Sequence, residues 1–489
     1  MNRSPANNCH RWRWLPTALA QTQILMIAVW TVVEPNAALA ATRPNFVFFL
    51  ADDLGYGELG CYGQQKIKTP NIDRLAAEGM RFTQAYAGSQ VCQPSRCVLM
   101  TGLHTGHAAV RANNVDQLLY DEDVTVAELL KQASYATGIF GKWGLGFEGT
   151  SGHPKRQSFD ESFGQLLQVH AHFYYPYWVW HNEQKHMLPG NEGGQRKQYV
   201  QDEMHARALD FIRSHKDGPF FVYLPYIIPH VELVVPEESE RPYRGQFPKR
   251  PVLDPRPKYI GSEDGFTTLA GMISRLDAQV GEVMALLKEL GIDDNTLVFF
   301  SSDNGGQSGG KDAGWTAMTD FFRGNGPLRG YKGEWYEGGI RVPFIARWPG
   351  AIQPGTTSDH ICGFWDVLPT LAEIANAQPP AKIDGISILP MLTGQGQQRQ
   401  HRAVYWEYPA SAGGISRAAR MGRWKAIQNR PNAKVELYDL ETDIGETKDL
   451  AGENPAVVAE IVSFMDQAHQ PIRDYPKRME RTGVDDYVR

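Results

Sequence analysis

Along the chain, unbroken apolar runs alternate with stretches whose apolar positions recur at helical spacing. Asn45–Leu50 (NFVFFL) is continuous, aromatic and of strand length, as for a strand buried on both faces. Phe220–Leu224 and Thr296–Ser301 read the same way, and Thr137–Phe140 reads as a shorter strand. Between them the pattern predicts helices. Thr69-Pro70-Asn71 opens one, with Thr as N-cap and Pro in the first position, and Gly79 stops it. Thr125-x-x-Glu128 is a capping box before a helix ending near Ser134. A helix from about Asp202 to Ser214 leads into Phe220, and a long amphipathic one from about Thr267 to Leu290 ends at Gly291. The alternation predicts an α/β fold with a large, mostly parallel central sheet flanked by helices. Past a Gln- and Gly-rich stretch, Gly394–Arg402, short strands and a final helix predict a smaller C-terminal α+β subdomain. The expected organisation is a leader over 1–40, a main domain over 41–400 and the subdomain over 401–489.

The leader expectation rests on a three-part layout. Arg3, Arg11 and Arg13 form a basic start, Ile24–Val33 an apolar run, and Ala38 and Ala40 flank a cleavage point after Ala40. The run is about half of the ~20 residues a membrane span needs, so it reads as a signal peptide rather than an anchor. This predicts an exported protein, periplasmic or secreted, with no membrane span after cleavage. The chain has 489 residues, 42% apolar and 21% charged, which excludes dominant disorder. Its formal net charge of −6 argues against a nucleic-acid partner. Five cysteines over this length do not make a disulfide-stapled scaffold.

In open α/β sheets, chemistry gathers beyond the carboxyl ends of the strands. Asp52 and Asp53 follow the first strand, Lys142 the second, His230 the third, and Asp303 and Asn304 the fourth. Three carboxylates and an amide oxygen are hard donors without cysteine or histidine at zinc spacing among them, a set that favours calcium or magnesium over zinc. Either pair alone, Asp-Asp or Asp-Asn-Gly-Gly, is ordinary turn chemistry.

Cys92-Gln93-Pro94-Ser95-Arg96, followed by Cys97-Val98-Leu99-Met100-Thr101-Gly102, resembles the signature of the type I sulfatases, formylglycine-dependent and arylsulfatase A-like enzymes of the alkaline phosphatase superfamily. Further similar blocks are Asp52–Gly57, Thr69–Asp73, Gly141-Lys142-Trp143, Ser302–Gly306, Lys332-Gly333, Tyr336–Gly339, Gly422–Lys425 and Glu436–Leu440, so the resemblance spans about Pro44 to Ala451. It implies an alkaline-phosphatase-like fold and hydrolysis of a sulfate ester. It also implies that a formylglycine-generating enzyme oxidises Cys92 to 3-oxoalanine (formylglycine), whose hydrate is the nucleophile. By the same resemblance Asp52, Asp53, Asp303, Asn304 and the residue at 92 hold one Ca2+, Arg96 binds the nucleophile's hydroxyl, and Lys142 and Lys332 clamp the sulfate. His230 or Lys332 supplies the leaving group's proton. The residues agree locally: Pro94 fits the first turn of a helix running to Thr101, which puts position 92 at an anion-favouring helix N-terminus.

One position departs from the family's pattern. Where it reads Gly-Lys-Trp-His-Leu-Gly, this chain reads Gly141-Lys142-Trp143-Gly144-Leu145-Gly146. The histidine that deprotonates the formylglycine hydroxyl is absent, and His172, or His170, is the expected replacement. His104 and His107 read as structural. Phe173, Tyr174, Tyr175, Tyr177, Trp178 and Trp180 make an aromatic segment that either stacks on sugar faces or packs beneath a loop. With export, it points to a sulfated carbohydrate. The Pro-, Arg- and Lys-containing insertion from about Glu232 to Glu263 reads as a solvated loop, or as a wall of an anion pocket. The alternatives are a phosphodiesterase or phosphonate monoester hydrolase of the same superfamily, and a non-catalytic binder of sulfated glycans.

Overall fold

The computed structural model describes residues 43–252, 259–308, 314–410 and 413–473; the expected signal peptide lies outside the described residues. A ten-stranded sheet runs, edge to edge, through Thr356–Ser358, Met80–Phe82, Phe344–Arg347, Thr296–Ser302, Asn45–Ala51, Phe220–Pro225, Ala136–Lys142, Glu161–Gln165, Trp178–His181 and Gln184–Met187. Its centre is parallel: Asn45–Ala51 lies between Thr296–Ser302 and Phe220–Pro225, and Ala136–Lys142 joins Phe220–Pro225 to Glu161–Gln165. Four strand ends therefore open on one edge, as the sequence predicts.

The unbroken apolar runs have a direct physical cause. Phe46, Phe48 and Leu50 enter one core cluster, while Val47, Phe49 and Ala51 enter another on the opposite face. The first cluster holds Cys97–Met100 of the Cys92–Thr101 helix; the second holds Leu276, Val280 and Val283 of the Gly265–Glu289 helix. The capping box is formed, Glu128 N–H donating to Thr125 and Thr125 N–H to Glu128. Thr69 does precede its helix with Pro70 first, but its hydroxyl accepts from Gly60 N–H and donates to Asp73. The helix start is capped instead by Asp277, which accepts from the N–H groups of Asn71 and Ile72.

Two local expectations are corrected. The second strand is Ala136–Lys142 rather than 137–140, because pairing with Glu161–Gln165 carries it through Gly141. The aromatic segment is not an open loop: Trp178–His181 and Gln184–Met187 form an antiparallel hairpin at the sheet edge. Phe173, Tyr174, Trp178 and Trp180 are buried, so these rings pack rather than face sugar.

From Val404 the chain forms a four-stranded antiparallel meander, Val404–Pro409, Ile415–Met421, Trp424–Gln428 and Glu436–Asp439, with helix Pro455–Ala468 against it. Tyr405, Ala419, Ala426 and Leu437 pack with Ile461 and Met465 of that helix, and Val404, Trp406, Ala418 and Ile427 join the main core. No helix among the described residues is long and apolar enough to cross a membrane.

Candidate active site

The first and fourth strands deliver the carboxylates together because they pair in register, Ala51 opposite Ser302. Asp303 N–H donates to Ala51 O at 3.0 Å, and Asp53 N–H to Asp303 Oδ1 at 3.1 Å. Asp53 takes a left-handed φ of 67°, which a short polar side chain tolerates. Lys142, last residue of its strand, places Nζ 2.6 Å from Asp52 Oδ2. His230 follows the Phe220–Pro225 strand and is fixed by Tyr174, whose hydroxyl donates towards the carbonyls of Ile227 and His230. Lys332 arrives from a loop: its N–H donates to Gly306 O, and Gly333 N–H donates to Gln90 O. Its Nζ lies 2.7 Å from Asp53 Oδ2 and 2.9 Å from His230 Nε2.

Cys92 is the first residue of helix Cys92–Thr101, which Gly102 ends at a φ of 69°. Its Sγ is 3.5 Å from Asp52 Oδ1 and 4.0 Å from Asp53 Oδ1. Arg96, one turn on, donates from Nε and Nη2 to Asp303 Oδ2 at 3.0 and 2.7 Å, and from Nη1 to Lys142 O at 2.8 Å. These bonds brace the carboxylates. Asn304 donates from Nδ2 to Asp53 Oδ1 at 2.7 Å, while its Oδ1 is buried and accepts no hydrogen bond among the described residues.

Burial sets the protonation of this cluster. It pushes the Cys92 thiol up to about 12 despite Lys142 and Lys332, so the unmodified residue is a neutral thiol and a poor nucleophile near neutral pH. Burial also raises Asp53 to about 7, with Asp52 and Asp303 adding to the effect against Lys332. Asp52 goes the other way: burial opposes ionisation, but Lys142, Arg96 and Lys332 outweigh it and hold the carboxyl at about 2. His230 is kept neutral by burial and by Lys332 and Lys142. Its Nδ1 lies 3.1 Å from Val231 O, so Nδ1 carries the proton and Nε2 accepts from Lys332.

A carboxylate crowd with an orphaned amide oxygen suits a hard divalent cation. Asp52, Asp53, Cys92 and His230 each offer a ligand atom, all within 4.8 Å of one another. Asn304 Oδ1 is a buried acceptor without a donor, which a cation satisfies where no N–H does.

The nine residues Asp52, Asp53, Cys92, Arg96, Lys142, His230, Asp303, Asn304 and Lys332 thus meet in one bonded cluster. His172 joins them: its ring stacks on His230 with centroids 4.5 Å apart, and burial with neighbouring cations keeps it neutral. His170 packs on Trp178 instead, and burial lowers it to about 3. His104 and His107 stack on each other and bond Asp384 beyond the far end of the Cys92–Thr101 helix. Sequence reasoning missed Tyr259, whose hydroxyl lies 2.7 Å from His172 Nδ1. It belongs to the Glu232–Glu263 insertion, which therefore reaches the site. No motif marks it. Cys61, Cys92, Cys97 and Cys362 are free thiols.

The chain matches the sulfatase family model over residues 44–377, and the model of the N-sulphoglucosamine sulphohydrolase C-terminal region over residues 331–473. It is 34% identical to arylsulfatase A of Bos taurus over 433 residues, 82% of this chain and 78% of that protein. It is 28% identical to the N-acetylgalactosamine-6-O-sulfatase of Bacteroides thetaiotaomicron over 515 residues, 89% of this chain and 94% of that protein. Among solved structures it is similar to Ps i-CgsB in complex with k-i-k-neocarrahexaose, with a TM-score of 0.74 and 28% identity over 89% of this chain and 96% of that one.

Proposed function

The chain belongs to the sulfatase family and is a sulfuric ester hydrolase, and we propose that it removes sulfate from a sulfated carbohydrate with a formylglycine made from Cys92. The observation that carries this reading is Cys92 itself. It sits at a helix N-terminus, 3.5 Å from a carboxylate and in the field of buried Lys142 and partly exposed Lys332, as a thiol too basic to react unmodified. The carbohydrate assignment draws on the named relatives, an N-acetylgalactosamine-6-O-sulfatase and a structure holding a neocarrahexaose. The arginine-led, alanine-ended leader supports export to the periplasm or beyond.

Asp52, Asp53, Asp303, Asn304 and the residue at 92 would hold Ca2+, which supplies positive charge to the sulfate oxygens. Formylglycine supplies hydroxyl nucleophilicity that the buried thiol lacks. The remaining work falls to this chain's own side chains. The Cys92–Thr101 helix turns the positive end of its dipole towards position 92, although Gln93 N–H is used by Asn113 Oδ1 and Ser95 N–H by Val91 O. Lys142 and Lys332 add fixed positive charge in a water-poor site, where it acts strongly on charge that develops during reaction. Arg96 spends its donors on Asp303 and the Lys142 carbonyl, and so positions both. Lys332 holds the proton shared with His230, because His230 is neutral with its own proton turned towards Val231 O. The leaving alcohol therefore takes its proton from this Lys332–His230 pair. His172, neutral and bonded to Tyr259, has the protonation of a base.

The test is the mass of the Cys92 peptide from protein co-expressed with a formylglycine-generating enzyme. Conversion of –CH2SH to –CHO is the expected result. A persistent thiol, with a control sulfatase matured in the same cells, rejects the formylglycine reading.

A further inference from the structure

Gly144 lies two residues beyond Lys142, at a φ of +85°, and what fills the space beside it is unusual. A Cβ added there would stand 2.3 Å from Gln168 Nε2. The Gln168 amide thus occupies the volume that any side chain at 144 would need. Its Nε2 is buried and has no hydrogen-bond partner among the described residues. A buried N–H donor left unmet is costly, so such a group marks a place where something else accepts.

Topology says where that place is. Ala136–Lys142 and Glu161–Gln165 pair in parallel, Lys142 opposite Gln165, so both open on the same edge. The pairing continues past them: Trp143 N–H donates to Gln165 O and Gly144 N–H to Leu166 O. Gln168 therefore stands three residues beyond the residue opposite Lys142, and four before His172, which stacks on His230. Both sides of the Gly144–Gln168 contact are flanked by residues of the charge cluster.

Resting on the sulfatase reading above, we propose that Gln168 contacts the substrate's sulfate, its Nε2 N–H donating to a sulfate oxygen beside Lys142. The chemistry fits. Sulfate oxygens only accept, a primary amide offers two donors, and a neutral donor adds selectivity without adding charge to a cluster already holding three cations. Gly144 is the complement of this arrangement: lacking a side chain, it leaves room for the amide.

The test uses matured protein, 4-nitrophenyl sulfate turnover, and inorganic sulfate binding to the Cys92→Ala variant. Gln168→Ala lowers kcat/KM roughly 10- to 100-fold, the value of one hydrogen bond to a charged group. Gln168→Glu loses more at about pH 8, and recovers relative to wild type towards about pH 5, as the carboxyl gains the proton that lets it donate. A purely structural glutamine shows no such pH-dependent rescue. Gly144→Ala drives the amide out and mimics Gln168→Ala, but costs little more when Gln168 is already alanine, apart from the strain of alanine at a positive φ. Turnover within about twofold of wild type for both Gln168 variants overturns the assignment. So does an equal Gln168→Glu loss at both pH values. The binding arm separates this from failure of the sulfatase reading. If the wild type hydrolyses no sulfate ester yet Gln168→Ala weakens inorganic sulfate binding severalfold, the reaction is misassigned and the contact stands. Unchanged sulfate affinity removes the contact.

Discussion

Two buried charge clusters, built from the same residue types, behave differently. One is the site around Cys92. The other ties the C-terminal meander to the main sheet. In it Lys425 Nζ lies 2.8 Å from Glu337 Oε1 and 2.9 Å from Glu446 Oε1, and Glu337 N–H donates to Glu446 Oε2 at 2.7 Å. Glu337 Oε2 also accepts from Tyr86 at 2.8 Å and Arg341 at 3.1 Å, and Arg420 bonds Tyr86. Both oxygens of Glu337 are satisfied. Burial opposes its ionisation, yet Lys425, Arg341 and Arg420 win and hold it at about 2. The Cys92 cluster has three cations of its own and still leaves Asp53 raised to about 7 and Asn304 Oδ1 without a donor. The Lys425 cluster is complete as protein, with Glu446 Oε1 met by its ion pair to Lys425. The Cys92 cluster is complete only with something added, which is how functional sites differ from structural ion pairs of equal burial.

The largest effect that separates them is at Cys92. Cys92→Ala removes one buried sulfur from a cluster that does not depend on it for packing, so turnover falls to background while the melting temperature moves little. Substantial sulfatase activity in that variant would falsify the assignment of the nucleophile. Lys425→Met should do the reverse. It strands Glu337 and Glu446 in the interior at a cost of about 3–5 kcal/mol, readable by denaturant unfolding. The Glu337–Ile340 helix begins five residues after Lys332, so some loss of rate is expected, but smaller than that of Cys92→Ala. If Lys425→Met unfolds at the wild-type midpoint, the second cluster is not the structural tie described here.

Calcium removal sharpens the same contrast. Metal that binds only the folded chain stabilises it by about 2.7 kcal/mol at a hundred times its dissociation constant. Chelation should therefore lower the melting temperature of the wild type, and calcium should restore it. Asp53→Asn relieves carboxylate crowding and removes a proposed ligand, so its melting temperature should ignore both treatments. An equal calcium response in the two proteins would place the ion elsewhere.

How much of this could be read in advance follows from topology. The strands Asn45–Ala51 and Thr296–Ser302 announce themselves because burial on both faces demands unbroken apolar residues, and residues just past parallel strands must share an edge. Asp52, Asp53, Asp303 and Asn304 were legible for that reason. Lys332 was not: it comes from a loop, and only the family resemblance marked it. The Trp178–Met187 hairpin was hidden because aromatic and histidine-rich residues at a sheet edge lack clean alternation. Gln168 and Tyr259 carry no motif, since their meaning lies in contacts with Gly144 and His172 that sequence distance conceals. The Lys425–Glu337 pair spans 88 positions, and no local pattern encodes it.

The smallest effect concerns the two histidines that the sequence could not tell apart. His172 stacks on His230 and bonds Tyr259; His170 stacks on Trp178, its Nε2 3.1 Å from the Trp178 carbonyl. One belongs to the unfinished cluster, the other to the packed hairpin. His172→Ala should slow turnover roughly tenfold or more, the usual weight of a positioned base, with little change in stability. His170→Ala should instead lower stability by about 1–3 kcal/mol through lost packing and a stranded carbonyl, leaving the rate of the folded fraction near wild type. Tyr259→Phe distinguishes a base from a spacer. It removes the bond to Nδ1 but keeps the ring, so a rate loss smaller than that of His172→Ala but in the same direction assigns Tyr259 to orienting the imidazole. If His172→Ala turns over at the wild-type rate, the base lies elsewhere, and the stacked pair only lines the contact between Lys332 and His230.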